Sequence, residues 1–192
     1  QNQGFTSALK AAIAATSGQY LGWVDSDDLL APTALEQTVA VLKTRPNVGM
    51  VYTDYRVMDA QGHDRGLGKR CRTPYSPDKL LVNFMTFHFR LMRRSVYEQT
   101  GGIDLSLSCA IDYDLCLKLS EVTNIHHLPH PLYFYRTHAH SISNQRRAEQ
   151  TDCSRRAVEN ALIRRGLSDR YQLEVQPPSR FRLRPKPIAV KP

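Results

Sequence analysis

The 192-residue chain is 41% hydrophobic and 23% charged, the composition of a soluble globular domain large enough to bury a sizeable core. No stretch approaches the roughly 20 apolar residues of a membrane span, and no secretory leader pattern opens the chain. The net charge of +8 gathers late: residues 1–145 carry 14 basic and 13 acidic side chains, residues 146–192 carry 12 and 5. The basic tail interleaves only Tyr171 and Phe181 with its charges and holds no nucleic-acid motif, so nucleic acid is not an expected partner.

In chain order, Ala8, Leu9, Ala12, Ile13 and Ala15 recur at helical spacing, with Gly18 where a C-terminal cap belongs. Tyr20 to Val24 predicts a short apolar strand that runs straight into Asp25-Ser26-Asp27-Asp28. Pro32 opens a second helix with Leu35, Val39 and Leu42 on its apolar face, closed by Arg45-Pro46. Val48 to Tyr52 predicts another strand, followed by a turn around Asp59 to Gly62. This order predicts an α/β domain with a largely parallel sheet.

Residues 66–77 are polar, basic and rich in Gly and Pro, which predicts a loop. Phe84 to Leu91 alternate at period two, with Phe84, Thr86, His88 and Arg90 on one face. Gly101-Gly102 marks a turn. Asp112 begins a helix with Leu115, Leu119 and Val122 on one side, and Leu132 to Tyr135 predicts a strand. A helix carrying Ala157, Ala161 and Leu162 follows, and residues 176–192 predict a basic, Pro-rich linker. Cys71, Cys109, Cys116 and Cys153 form no C-x-x-C pair and no metal-ligand spacing, which predicts free thiols in a reducing cytoplasm.

The stretch Asp25 to Asp28 carries the chemistry. In an extended chain, residues two apart point the same way, so Asp25 and Asp27 converge on one side. They stand at the carboxyl end of a strand, where open α/β sheets bind ligands. Close carboxylates repel unless a cation joins them, and a divalent Mg2+ or Mn2+ with open positions can hold a diphosphate. The bland alternative is that Asp27 or Asp28 caps the next helix. Strand-then-Asp-x-Asp also opens metal-dependent phosphohydrolases, but Leu29 stands where those carry Thr or Val, and a helix precedes the strand here.

Asn2-x-Gly4, an Ala-rich helix, Gly18-x-Tyr20 and then Asp25-Ser26-Asp27-Asp28-x-Leu30-x-Pro32 resemble the middle of a family 2 glycosyltransferase of the GT-A (Rossmann-like) fold. Gly101-Gly102-Ile103-Asp104 is similar to the family's Gly-Gly-Phe-Asp turn, and Asp112-Tyr113-Asp114-Leu115 to the segment bearing the catalytic base. Tyr135-Arg136-Thr137-His138, with Ser141 and Ser143 after it, resembles the family's Tyr-Arg-x-His ending. The resemblance spans residues 1–145 and departs at Lys10 and Ile111, where the family favours Asn and a polar residue.

The resemblance implies roles. Asp25, Asp27 and Asp28 would serve the nucleotide-diphospho-sugar donor, Asp27 through a Mn2+ or Mg2+ ion and Asp25 through the ribose or the same metal. His138 would be a further metal ligand. Asp112 would be the general base in an inverting transfer, with Gly101, Gly102, Asp114, His88 and Arg90 on the side of a glycan acceptor. The structural alternatives are that Asp112 caps the helix that follows, that Asp114 supports the helix start, and that His88 and Arg90 are one wet face of a strand. The family's opening strands, which bind the nucleotide base, do not precede this stretch, and no Met appears before Met50. The expectation is therefore a chain cut from a longer protein: a partial catalytic domain at 1–145, a helical extension at 146–175, the linker, and a second catalytic module downstream. A cytoplasmic protein of bacterial polysaccharide assembly, peripheral to the inner face of the membrane, follows from the family alone. A non-catalytic scaffold keeping the same fold is the competing class.

Overall fold

A computed structural model describes residues 4–139, 141, 145–176 and 180–187. The sequence expectations that fall on Asn2, Ser143 and Pro177-Pro178 lie outside the described residues. The elements are α1 (Gly4–Ala14), β1 (Tyr20–Leu21), β2 (Leu29–Leu30), α2 (Ala34–Thr44), β3 (Val48–Met58), β4 (Asp64–Leu67), β5 (Arg90–Arg93), α3 (Arg94–Gln99), α4 (Ile111–Val122), β6 (Asn124–Arg136), α5 (Arg147–Arg164), β7 (Tyr171–Gln176) and β8 (Arg180–Pro185).

Six strands form one sheet in the order β1-β5-β3-β6-β2, with β4 pairing the far end of β3. The sheet is mixed rather than largely parallel: β3 and β6 run parallel, while β1 on β5, β5 on β3, β4 on β3 and β2 on β6 are antiparallel. The sequence signal was helix–strand alternation, and that signal does not see short return strands. β3 is buried along almost its whole length, as a central strand covered on both faces must be. Met50 and Tyr52 point to the side packed by α4 and α5, and Val51 and Tyr55 to the side that holds Leu42 of α2.

Three local expectations change. The buried face of α2 is Ala34, Thr38 and Leu42, with Leu35 exposed; Thr38 turns its hydroxyl onto the Ala34 carbonyl at 2.7 Å and so tolerates burial. Residues 84–89 do not extend the strand that starts at Arg90. Met85, Thr86, His88 and Phe89 are all buried, so both supposed faces of the alternation are covered. The expected linker contributes β8, which pairs with β7 in a hairpin. There Leu173, Phe181 and Leu183 pack on the main core, which gives the charged tail an apolar reason to fold. The cysteines are free thiols, as expected, and Cys116 lies in the core. Among the described residues no helix is long and apolar enough to cross a membrane.

Candidate active site

The topology sets the site. β1 pairs with β5 on one side of β3, and β2 pairs with β6 on the other, so the acidic loop between β1 and β2 crosses the end of the sheet. It is held close at its start: a Cβ on Gly22 would stand 2.9 Å from the Arg90 carbonyl and 3.0 Å from the Phe89 ring. Residues 25–28 then form a turn closed by the Asp28 amide, which donates to the Asp25 carbonyl at 3.1 Å.

That turn corrects the extended-chain reading, because its three carboxylates diverge. Asp28 points inward and is buried. The Tyr133 hydroxyl donates to its Oδ2 at 2.6 Å and the Arg136 amide to its Oδ1 at 2.7 Å. Both oxygens are used by the fold, so Asp28 clamps the loop onto β6 rather than facing a donor. Burial raises its pKa, and these two hydrogen bonds oppose the rise. Asp27 points outward, 42% exposed, with its Oδ2 2.9 Å from His138 Nε2. Neither aspartate caps α2, which begins after Thr33.

Asp25 leans the other way, toward β5. Its Oδ2 lies 3.7 Å from His88 Nε2, and its pKa is pushed up to about 6, by burial first and by Asp28 next, against the pull of Arg90. Asp112 stands beyond Arg90, in the first turn of α4. Both terminal nitrogens of Arg90 donate to its Oδ2 at 3.2 Å, and the Tyr113 amide donates to Oδ1 at 2.9 Å. Its side chain is 27% exposed.

His88 and Arg90, expected on the acceptor surface, are instead buried beneath it. Arg90 lies 5.6 Å from the Trp23 ring and 5.7 Å from the Phe84 ring, and it also donates to the Thr86 carbonyl. Its buried charge is answered by Asp112, which raises its pKa against the opposing effect of burial. His88 stacks on Tyr133 at 4.7 Å. Burial, with Arg90 and Arg70 nearby, holds its pKa well below the ordinary value. The imidazole is therefore neutral, and its Nδ1 faces Arg90 at 3.4 Å.

Asp114 does not reach that surface either. It is buried, with Lys118 Nζ at 2.7 Å and Arg164 at 3.9 Å. Lys118 also donates to the Gly102 carbonyl at 3.1 Å, so the charge pair fastens α4 to the Gly101-Gly102 turn. Those glycines take φ of 76° and 71°, the left-handed region that glycine enters without steric cost. A Cβ on Gly102 would also sit 2.8 Å from the Tyr97 hydroxyl. Their demonstrated work is conformational.

Among the described residues no three His, Cys, Asp or Glu side chains gather closely enough to hold a metal among themselves. Asp25, drawn toward Arg90, does not complete the set with Asp27 and His138. Tyr133 and Arg136 are the site residues that sequence reasoning left without a role. Arg136 sends its Nε to the Asp27 carbonyl at 2.7 Å and its NH1 to the Asp59 and Ala60 carbonyls. It ties the acidic loop to the turn after β3. The period-two pairing of Tyr133 and Tyr135 just before Arg136 was the available signal.

Comparison with known proteins fits this geometry. The chain is 32% identical over 167 residues to the chondroitin synthase of Escherichia coli, covering 87% of this chain and 24% of that protein. It is 30% identical over 167 residues to the hyaluronan synthase of Pasteurella multocida, covering 87% and 17%. The chain thus spans about a quarter or less of the length of these relatives. Among solved structures, S. aureus TarS 1–349 superposes with a TM-score of 0.60 at 15% identity, covering 88% of this chain and 49% of that one. Glucosyl-3-phosphoglycerate synthase from Mycobacterium tuberculosis, in complex with Mn2+, UDP-glucose and phosphoglyceric acid, does so at 0.52 and 18% identity, covering 97% and 64%. These likenesses give the fold, that of the GT-A glycosyltransferases. Residues 1–101, just over half of the chain, match the profile of Glycosyl transferase family 2, and the chain belongs to that family.

Proposed function

We propose that this chain carries the catalytic centre of a metal-dependent, inverting glycosyltransferase that moves a sugar from a nucleotide-diphosphate donor to a glycan hydroxyl. One observation carries the reading: Asp27 with His138, then Asp25, then Asp112 on Arg90 follow one another across the end of the sheet, with solvent-reaching carboxylates at both ends. A donor that spans this line places its diphosphate at one end and its anomeric carbon toward the other.

The residues present fit a divalent cation. Asp27 Oδ2 and His138 Nε2 stand 2.9 Å apart and both side chains reach solvent. Asp27 would supply the hard carboxylate oxygen that Mn2+ and Mg2+ prefer, and His138 would stand beside it as a nitrogen ligand. When bound, such a cation neutralises charge on the departing diphosphate. Asp25 stands between the two ends and faces the sugar end of the donor.

Asp112 takes the proton from the acceptor hydroxyl as that oxygen attacks the anomeric carbon, and a single displacement inverts its configuration. Arg90 holds the carboxylate in place from beneath. His88, neutral and stacked on Tyr133, keeps Arg90 and the loop in register without adding a charge.

The test uses the full-length protein with Mn2+ and a panel of nucleotide sugars, reading nucleoside diphosphate release and the anomeric configuration of the product. Asp112→Asn is expected to lower kcat by about 10²- to 10⁴-fold with donor binding intact. Asp27→Asn is expected to lose Mn2+-dependent donor binding. Wild-type turnover in both variants, or a product of retained configuration, would overturn the assignment.

A further inference from the structure

A cleft of about 830 Å³ lies between the start of α4, the segment before β5, α5 and β8, a volume typical of ligand pockets. Tyr113, the residue after Asp112, and Phe84, which lies under the Arg90 guanidinium, form part of its wall. The cleft therefore opens beside the carboxylate assigned as base. Three arginines from separate elements line it: Arg70 from the segment after β4, Arg147 from the first turn of α5 and Arg180 from the start of β8.

These arginines differ from their neighbours. On the same elements Arg146 pairs with Glu149, Arg155 with Asp152 and Glu159, and Arg184 with Glu174. Among the described residues, no carboxylate lies within ion-pair distance of Arg70, Arg147 or Arg180. Arg70 stacks over Phe84 at 5.2 Å, and its buried NH1 has no hydrogen-bond partner among the described residues. The first turn of α5 adds the positive end of a helix dipole to the same wall. Uncompensated like charges around one cavity are unfavourable until an anion enters. Phe84 and Phe181 add apolar surface between the charges, which suits the carbon skeleton of a sugar.

We propose that this cleft is the acceptor subsite and that the acceptor carries an anionic group, a carboxylate or a phosphate, which Arg70, Arg147 and Arg180 engage. This rests on the transferase reading above, with the donor on the Asp27 side of Asp112 and the acceptor on the Arg70 side. Bidentate arginine contacts would fix the orientation of the sugar and so select which hydroxyl reaches Asp112.

The test is equilibrium binding to the full-length protein, which needs no turnover. The probes are a short oligogalacturonate, the same oligosaccharide after carboxyl reduction, and glucose 1-phosphate. The wild type is expected to bind at least one acidic probe about tenfold more tightly than the neutral one, a preference that shrinks with added salt. Whichever acidic probe wins identifies the anion as carboxylate or phosphate. The double variant Arg147→Gln, Arg180→Gln, in two exposed side chains, is expected to abolish the preference while nucleoside diphosphate binding stays unchanged. Thr151→Glu, on the same wall, is expected to reverse it. Equal binding of all probes by the wild type, or a preference that survives the double variant, overturns the proposal. A loss of nucleoside diphosphate affinity in that variant also overturns it, because the cleft would then serve the donor. A wild type that shows no acidic preference yet transfers sugar sinks this proposal alone, whereas anion binding without any sugar transfer sinks the transferase reading.

Discussion

In the acidic loop, Asp27 reaches outward while Asp28, the next residue, is turned into the protein; at the start of α4, Asp112 reaches outward while Asp114 is turned in. Each outward carboxylate stands beside a second one that is turned inward and anchors the segment. The anchors are built differently. Asp28 is held by neutral donors that belong to the sheet, the Tyr133 hydroxyl and the Arg136 amide. Asp114 is held by the ammonium of Lys118, one helical turn on, at the tip of a long side chain. A neutral clamp loses only a hydrogen bond when one partner is removed, while a charged clamp leaves an orphaned ion. The loop should therefore tolerate damage to its anchor better than the helix does.

The largest expected effect is on the helix. Asp114→Ala leaves the Lys118 ammonium, whose side chain is 15% exposed, without its carboxylate. Breaking such a pair costs about 3–5 kcal/mol, to be read from denaturant unfolding of the full-length protein. The Gly101-Gly102 turn should loosen at the same time, because Lys118 holds its carbonyl. A cost under about 1 kcal/mol would erase the difference between the two anchors, since an exposed pair contributes no more than that. Next comes Tyr133→Phe, which takes the donor from Asp28 Oδ2 and the acceptor from the Asp25 amide. A loss of about 1–3 kcal/mol is expected, with faster amide hydrogen exchange confined to residues 25–28. Unchanged exchange there would assign the clamp to the Arg136 amide alone.

The same contrast explains what could be read in advance. The apolar run from Val48 to Tyr52 announces β3, and its burial on both faces follows from such a run. Its continuation to Met58 was hidden by Asp54, which looks like a strand end until His127 meets it at 2.8 Å from the paired strand. Asp25, Asp27, Asp28 and Asp112 were legible as candidates, and the fold brings Asp27, Asp25 and Asp112 to one end of the sheet. Which carboxylate faces outward was not legible, because the decision lies with Tyr133 and Arg136, more than 100 residues away in sequence. Asp114 left helix support and the acceptor side both open in the sequence, and its burial depends on Lys118 and on how α4 meets α5, not on its spacing from Asp112. In the tail, arginines alternating with Phe181 and Leu183 masked a strand as a charged linker.

The smallest expected effect is the most diagnostic of function. Asp25 has no anchor of its own kind, and its pKa of about 6 lies above the ordinary 3.8, chiefly because burial disfavours its charge. Between those two values the folded chain holds a proton that the unfolded chain has released. The contribution of Asp25 to stability is thus full below pH 3.8 and is lost as pH rises through 6. Asp25→Asn, measured in chelator and without donor, should accordingly stabilise the protein at pH 7 and give no gain near pH 3.5. With the side chain 37% exposed, solvent screening brings the expected gain down to about 1 kcal/mol. A gain of equal size at both pH values would come from packing rather than from charge. A loss at pH 7 would mean that Arg90 uses Asp25 as a counterion alongside Asp112, and the line from Asp27 to Asp112 would then be one electrostatic unit instead of two separately anchored ends. If the gain appears and transfer falls with it, the carboxylate is kept at a cost in stability because the reaction needs it.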